Sequence, residues 1–186
     1  METRAAMTTI PTPLGEMVAA AADQGVCLLE FTDRPALPGE RAELESILGG
    51  PLVPGDHPHL SLLRQELDAY FRGGLRAFTV PVWTPGTPFQ QRVWRRLLEI
   101  PYGRTESYER IAIDIGSPGA QRAVGRANGQ NRVAIVVPCH RVIEKNGALR
   151  GYGGGLHRKQ YLLNLERGPA ETGTLWESAA PARRCI

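Results

Sequence analysis

The run V-V-P-C-H-R-V-I, Val136 to Ile143, sets a cysteine and a histidine side by side behind a proline and between β-branched pairs. Without Pro138 these residues read as one buried strand. Proline cannot donate a ladder hydrogen bond, so the chain ends or bends there, and Cys139 and His140 sit on the bend. A cysteine becomes a nucleophile once a base removes its proton, and the nearby Arg141, Lys145 and Arg150 are expected to favour the thiolate. Successive side chains of an extended chain point to opposite faces, so His140 serves Cys139 only if the turn brings them round or a water relays the proton. Such a base needs an acceptor on its other ring nitrogen. Glu166, ending the apolar helical run L-L-N-L-E-R-G, is the candidate, and its place at a helix C-terminus, where the dipole disfavours a carboxylate, calls for a partner. Read alone, Cys139 is also compatible with a small buried hydrophobe, and Glu166 with a solvated helix end.

The elements that must hold these groups follow from periodicity. Thr8–Pro11, Met17–Ala21 and Val26–Phe31 are short apolar runs between Gly and Pro turns, the pattern of a meander. Helices are expected over Arg41–Leu48 and His59–Phe71, the second stopped by Gly73-Gly74. Thr87 caps a helix with Pro88 at its first position and Phe89, Val93, Trp94 and Leu97 on its stripe. Ser107 caps a short helix to Ile115, and Ser117-Pro118 is expected to open another running to Asn128. Together these two read as a helix-turn-helix, with an extended Val133–Ile143 as a possible wing. On the second helix Ala120, Ala123 and Ala127 are small, while Arg122 and Arg126 stand one turn apart. Small residues let a helix approach a narrow minor groove with arginines on phosphates or in the base stack; a core helix with alanines inside is the alternative. Tyr108 and Tyr152, the latter beside Gly153–Gly155, are aromatic groups with polar tips near these elements. Asn146-Gly147 marks a turn, and Leu156–Leu165 a last helix.

The 186 residues, 42% hydrophobic, suffice for one cored domain or two small lobes. Net charge is only +3, but Met1–Thr79 carries 6 Lys/Arg against 11 Asp/Glu and Val80–Ile186 carries 16 against 8. A basic second half behind an acidic first half points to a polyanion, most simply nucleic acid. Three cysteines, Cys27, Cys139 and Cys185, make no disulfide framework or metal spacing, and the glycine run is no phosphate loop, so no metal and no cofactor are expected. No segment reads as a signal peptide or membrane span; a reducing cytoplasm is expected, with Met7 as a candidate start.

Six stretches, T-P-L-G-E-M from Thr12, T-P-F-Q-Q-R-V-W from Thr87, I-P-Y-G-R-T-E-S-Y from Ile100, R-A-V-G-R-A-N from Arg122, I-V-V-P-C-H-R-V-I from Ile135 and G-Y-G-G-G-L from Gly151, resemble the O6-alkylguanine-DNA alkyltransferase (methylated-DNA–protein-cysteine methyltransferase) family. The resemblance implies an α/β fold: a ribonuclease-H-like α/β lobe over 1–80 and a mostly helical winged-helix-like catalytic and DNA-binding lobe over 81–169; residues 170–186 lack periodicity and are expected to form a flexible tail. It implies single-turnover repair, the alkyl group passing from O6-alkylguanine, and by extension O4-alkylthymine, in double-stranded DNA to Cys139 after base flipping. His140, a water and Glu166 would form the proton relay. Asn131 would hinge the reading helix to the acceptor, Arg122 would replace the flipped guanine, and Tyr108 would crowd the adjacent phosphate and protonate the leaving base. Ala120, Gln121, Ala123, Gly125 and Arg126 would contact the minor groove largely independently of sequence, and Tyr152 and Gly153 would wall the pocket of a monomer. Gln121 and the order Arg104-Thr105-Glu106 depart from the family pattern. A Cys-His hydrolase or acyltransferase, and a non-catalytic DNA-binding lesion sensor or regulator, are the rival readings.

Overall fold

The computed structural model describes residues 5–168; Cys185 and the expected tail over 170–186 lie outside them. Strands β1 (Ala5–Thr12), β2 (Gly15–Ala22) and β3 (Gly25–Phe31) form an antiparallel meander. A strand not expected from the sequence, β4 (Leu52–Pro54), pairs parallel to β1 and gives the order β3-β2-β1-β4. At three residues it is too short for alternation to register, and Pro54 is tolerated because the strand is at an edge. Helix α1 (Leu37–Leu48) starts before the expected Arg41, and α2 (Pro58–Phe71) packs Leu60, Leu63, Leu67 and Tyr70 against the sheet.

Helix α3 (Pro88–Leu98) begins with a full capping box between Thr87 and Gln90. The two-residue strand β5 (Glu106–Ser107) leads into α4 (Tyr108–Asp114), capped by the Ser107 hydroxyl. Helix α5 spans Gln121–Gly129, three residues later than the sequence suggested. Gly119 is left-handed at φ 87 and the Ala120 N–H closes a turn on the Ser117 carbonyl, so Ser117–Ala120 forms the turn of the helix-turn-helix rather than helix. Val124 and Ala127 face inward, and the Trp94 indole donates to the Ala127 carbonyl at 2.9 Å; Ala127 is therefore a core residue, not a DNA-facing one. Gln121, Arg122, Ala123 and Arg126 are exposed.

No extended wing runs from Val133 to Ile143. Val133–Val137 is a compact buried turn, Cys139–Arg141 a 3₁₀ turn, and only β6 (Val142–Ile143) is a strand, parallel to β5. Helix α6 (Leu156–Arg167) closes the chain. One hydrophobic cluster takes residues from the sheet, α2, α3, α4, α5, the 133–137 turn and α6, so the halves share a core. The outer edge of β3 is covered by the second half: Val26 N–H donates to the Pro81 carbonyl, Trp83 N–H to Val26, Leu29 N–H to Arg132, and Ala134 N–H to Leu29. The turn that leads to Cys139 is thereby hung on the edge of the first sheet.

Gly25, at φ 140, lies in this seam, and a Cβ there would stand 2.5 Å from the Pro81 carbonyl oxygen. Gly25→Ala should cost more than about 2 kcal/mol in urea unfolding, while Gly49→Ala, at φ 73 with open space around it, should cost about 1 kcal/mol.

Candidate active site

The acceptor turn is organised by one side chain. Asn131 Oδ1 accepts from Val133 N–H at 3.0 Å, and Nδ2 donates to the Val137 carbonyl at 2.9 Å and to Cys139 Sγ at 3.2 Å. These bonds fold the apolar run back on itself after its single bridge to β3. Ile135 takes φ 71, a conformation that costs a β-branched residue about 1–3 kcal/mol and persists only where neighbours impose it. Asn128, from the end of α5, donates to the Cys139 carbonyl at 3.2 Å, joining the reading helix directly to the acceptor.

Cys139 is 5% exposed, and burial pushes its thiol up to about 11. The Asn131 hydrogen bond and the positive charges of Lys159 and Arg34 pull the other way, while Glu30 adds to the rise. The resting group is a thiol, which corrects the expectation of a thiolate favoured by Arg141, Lys145 and Arg150. Lys145 is on the surface paired with Glu109, Arg150 is exposed, and the Arg141 guanidinium is consumed elsewhere. The nearby cations come instead from α6 and from the loop after β3. Lys159 is fully buried, donates to the carbonyls of Val142 at 2.6 Å and Arg150 at 2.9 Å, and has its ammonium pushed down to about 8 by burial.

Behind the thiol lies a buried ion cluster. Glu166 accepts five hydrogen bonds: from His140 Nε2 at 2.8 Å, Arg141 Nε at 2.8 Å and Nη2 at 2.9 Å, the Tyr70 hydroxyl at 2.7 Å and Gly103 N–H at 3.1 Å. Burial alone would raise its pKa, but the bonds and charges of His140 and Arg141 win and hold it at about 2. Glu166 is no solvated helix end. Because an ionised carboxylate only accepts, His140 Nε2 carries the proton, which leaves Nδ1 as the basic nitrogen; Nδ1 is buried with no protein partner. Burial pushes the imidazole below its ordinary pKa, so the ring is neutral at pH 7. Cys139 and His140 form no direct hydrogen bond.

On the outer side a cavity of about 460 Å³ is lined by Tyr108, Arg122, Gly125, Gln121, Arg150 and Gly151, among others. Tyr108 is 9% exposed, donates to the Arg150 carbonyl at 3.2 Å, and has its phenol pushed up to about 12, foremost by burial. Cys139 itself is not in this lining. Ala120 is half-buried at the start of α5, and Ala123 and Arg126 are exposed on the same face as Arg122. Tyr152 has its hydroxyl buried without a protein partner, and its phenol is raised by burial and by Cys139. Gly153 takes the Arg34 guanidinium where a Cβ would stand. Asn131, Cys139, His140 and Glu166 thus converge, and Tyr108 meets Arg122, while Tyr152 and Gly153 lie outside the cavity lining. Sequence reasoning missed Tyr70, Gly103, Asn128 and Lys159, and misassigned Arg141. For Arg141 and Asn128 the signal was present in P-C-H-R and R-A-N, since both stand in motifs around the acceptor and α5. Among the described residues no group of three or more His, Cys, Asp or Glu is arranged to hold a metal.

Two family models match the chain: the ribonuclease-like domain of 6-O-methylguanine DNA methyltransferase over residues 6–84, and the DNA binding domain of the same protein over residues 88–168. A methylated-DNA–protein-cysteine methyltransferase of Mycobacterium tuberculosis is 60% identical over 108 residues, 57% of this chain and 66% of that protein. The Mycolicibacterium paratuberculosis protein of the same name is 45% identical over 161 residues, 86% of this chain and 90% of that one. A crystal structure of Mycobacterium tuberculosis OGT in complex with DNA superposes with a TM-score of 0.75 at 44% identity, covering 87% of this chain and 92% of that one.

Replacing Glu166 by Gln strips the counter-charge from the buried Arg141 guanidinium, and stability in urea should fall by about 3–5 kcal/mol at pH 7. Glu166 is held near 2 in the fold, against about 4.3 for a free carboxyl, so its contribution is present above about pH 4.3 and lost as pH falls toward 2. The gap between wild type and Glu166→Gln should narrow over that window.

Proposed function

The chain belongs to the 6-O-methylguanine DNA methyltransferase family, and from that premise we propose that it repairs DNA by direct reversal, moving the alkyl group of O6-alkylguanine to the sulfur of Cys139 in a single turnover. The observation that carries this reading is the buried Cys139 thiol, hydrogen-bonded by Asn131 and backed by the His140–Glu166 pair.

Transfer is an in-line displacement: the S–C bond forms as the C–O6 bond breaks, and the electron pair leaves on the guanine. A thiol near 11 is a poor nucleophile at pH 7, so its proton must go to a base as sulfur attacks. His140 Nδ1 receives it through a water, and the imidazolium is stabilised by the carboxylate on Nε2. The departing guanine anion accepts a hydrogen bond from the Tyr108 hydroxyl, which burial keeps protonated, and the proton it finally gains balances the one the thiol gave to His140. The thioether on Cys139 has no bond that this site can hydrolyse, so the protein is consumed.

The target oxygen lies inside a duplex, and extruding its base costs a few kcal/mol. Arg122, exposed at the start of α5 and bordering the cavity beside Tyr108, fills the vacated stack. Ala123, Gly125 and Ala120 let α5 lie close in the minor groove; Gln121 and Arg126 reach the backbone, and Tyr152 and Gly153 bound the base. With so few groups able to read base edges, binding is nearly indifferent to sequence. The protein acts as a monomer in the cytoplasm on double-stranded DNA, with residues 1–80 and 81–169 as its two lobes.

Intact mass after mixing with a methylated duplex should show one methyl group, located on Cys139 and retained. Cys139→Ser should bind DNA without gaining mass; an adduct on another cysteine or sustained turnover would sink the reading. Affinity should fall with salt at a log-log slope of roughly -3 to -4. The alkylation rate should be flat from pH 7 to 9 and fall only at a pH below the ordinary imidazole range, because burial holds the His140 ring below its usual pKa. A tenfold rise per pH unit above 7 would mean that free thiolate, not the relay, is the nucleophile. Arg122→Ala should slow repair of duplex DNA by about one to two orders of magnitude while leaving the reaction with free O6-benzylguanine near wild type.

A further inference from the structure

Two glycine-bearing motifs are not used by the transfer step: the T-P-L-G turn between β1 and β2, and the loop Gly151–Gly155. Arg158, in the first turn of α6 and 8% exposed, joins them. Its Nε donates to the Leu14 carbonyl at 2.9 Å and Nη1 to the Gly154 carbonyl at 3.0 Å. Nη1 and Nη2 also form a bidentate pair with the Asp33 carboxylate at 2.8 and 2.9 Å, and the guanidinium lies over the Phe31 ring, 4.0 Å from its centroid. At Gly15, φ 114, a Cβ would stand 3.1 Å from Nη2, so glycine lets the turn close onto the guanidinium.

One planar fork therefore holds three segments: the hairpin turn of the first sheet, the loop after β3 and the glycine loop. A lysine has neither the fork nor enough fixed donors for this arrangement. The loop is pressed against the first sheet, since a Cβ on Gly154 would meet Phe31 at 2.7 Å and Tyr152 at 2.9 Å. At its other end Gly151 lines the cavity with Tyr108 and Arg122. A wall rich in glycine has high conformational entropy, so a defined pocket requires that it be tied down from outside.

We propose that Arg158, seated on the T-P-L-G turn and Asp33, is a positioning residue that fixes the Gly151–Gly155 loop as a wall of the alkylguanine pocket, so that the first lobe sets the shape of a site whose reacting groups all lie in the second. The inference rests on the reading of Cys139 as the alkyl acceptor. Arg158 touches no reacting atom; it acts on binding of the base and not on sulfur attack.

The test uses the full chain, Arg158→Met and Asp33→Asn, with free O6-benzylguanine as probe. Single-turnover alkylation of Cys139 is followed to saturation, and amide hydrogen exchange is followed at residues 152–155. The half-saturating concentration should rise about tenfold in Arg158→Met and about threefold in Asp33→Asn, as expected for losing charge-assisted hydrogen bonds, with the limiting rate within about twofold of wild type. Exchange should quicken at 152–155 and stay unchanged at 139–141. An unaltered half-saturating concentration in both variants overturns the proposal, as does a loss confined to the limiting rate or an exchange increase spread evenly over the fold. The Asp33 side chain is 63% exposed, so Asp33→Asn tests the tether even if Arg158→Met fails to fold. If the wild type accepts no alkyl group, it is the acceptor reading that fails, and loop exchange in Asp33→Asn still decides whether the tether exists.

Discussion

The interaction on which the rest depends is the burial of one carboxylate. Glu166 takes bonds from Tyr70 in α2, Gly103 after α3, His140 and Arg141 in the acceptor turn, and is itself carried by α6. An ionised carboxylate out of water is tolerable only with nearly every lone pair occupied and a cation in contact. That demand draws four segments to one point, and Arg141 extends the reach to the Ile100 carbonyl at 2.6 Å. The cluster is structural, and it also fixes which nitrogen of His140 is basic. Stability and chemistry share the same atoms.

The protonation states around it form an ordered series. Glu166 near 2 is always charged at pH 7, His140 is neutral because burial opposes its cation, and Cys139 near 11 is a thiol. Desolvation favours the neutral form of all three, and only at Glu166 do hydrogen-bonded partners and opposite charge overcome it. The site therefore rests uncharged at Cys139 and His140, with one buried carboxylate on the Nε2 side of the ring. A standing thiolate in the same place would be open to oxidation and to any electrophile small enough to enter.

The two halves divide the work less cleanly than their composition suggests. The first half supplies the β3 edge on which the acceptor turn hangs, Tyr70 beneath the carboxylate, Arg34 and Glu30 in the electrostatic environment of the thiol, and the seat of Arg158. The second supplies every group that would touch DNA. A shared core and a hydrogen-bonded seam make one unit of them, so the sheet acts as a rigid base under a site built largely of turns and glycine-rich loop.

Local chemistry made much of this legible from residues alone. The meander, α2, the capping box of α3 and the Ser107 cap were readable because period, turn residues and caps act over a few positions. Cys139, His140 and Glu166 stood out because their types are costly where their neighbours are apolar. The Val133–Val137 turn was not readable: its residues are β-branched and favour strand, and only the Asn131 side chain, by outcompeting strand pairing for the backbone, bends them. The start of α5 was misread because Pro118 is a good first helical residue, whereas the left-handed Gly119 decides otherwise. The charge state of the thiol could not be seen at all. Sequence showed Arg141, Lys145 and Arg150 as near neighbours, but electrostatics follows distance through space and exposure to water, and folding sent two of these to the surface while bringing Lys159 and Arg34 to the sulfur. Which residues carry the chemistry was determined by their identity; what protonation state each one holds was decided only when the tertiary structure removed the water around them.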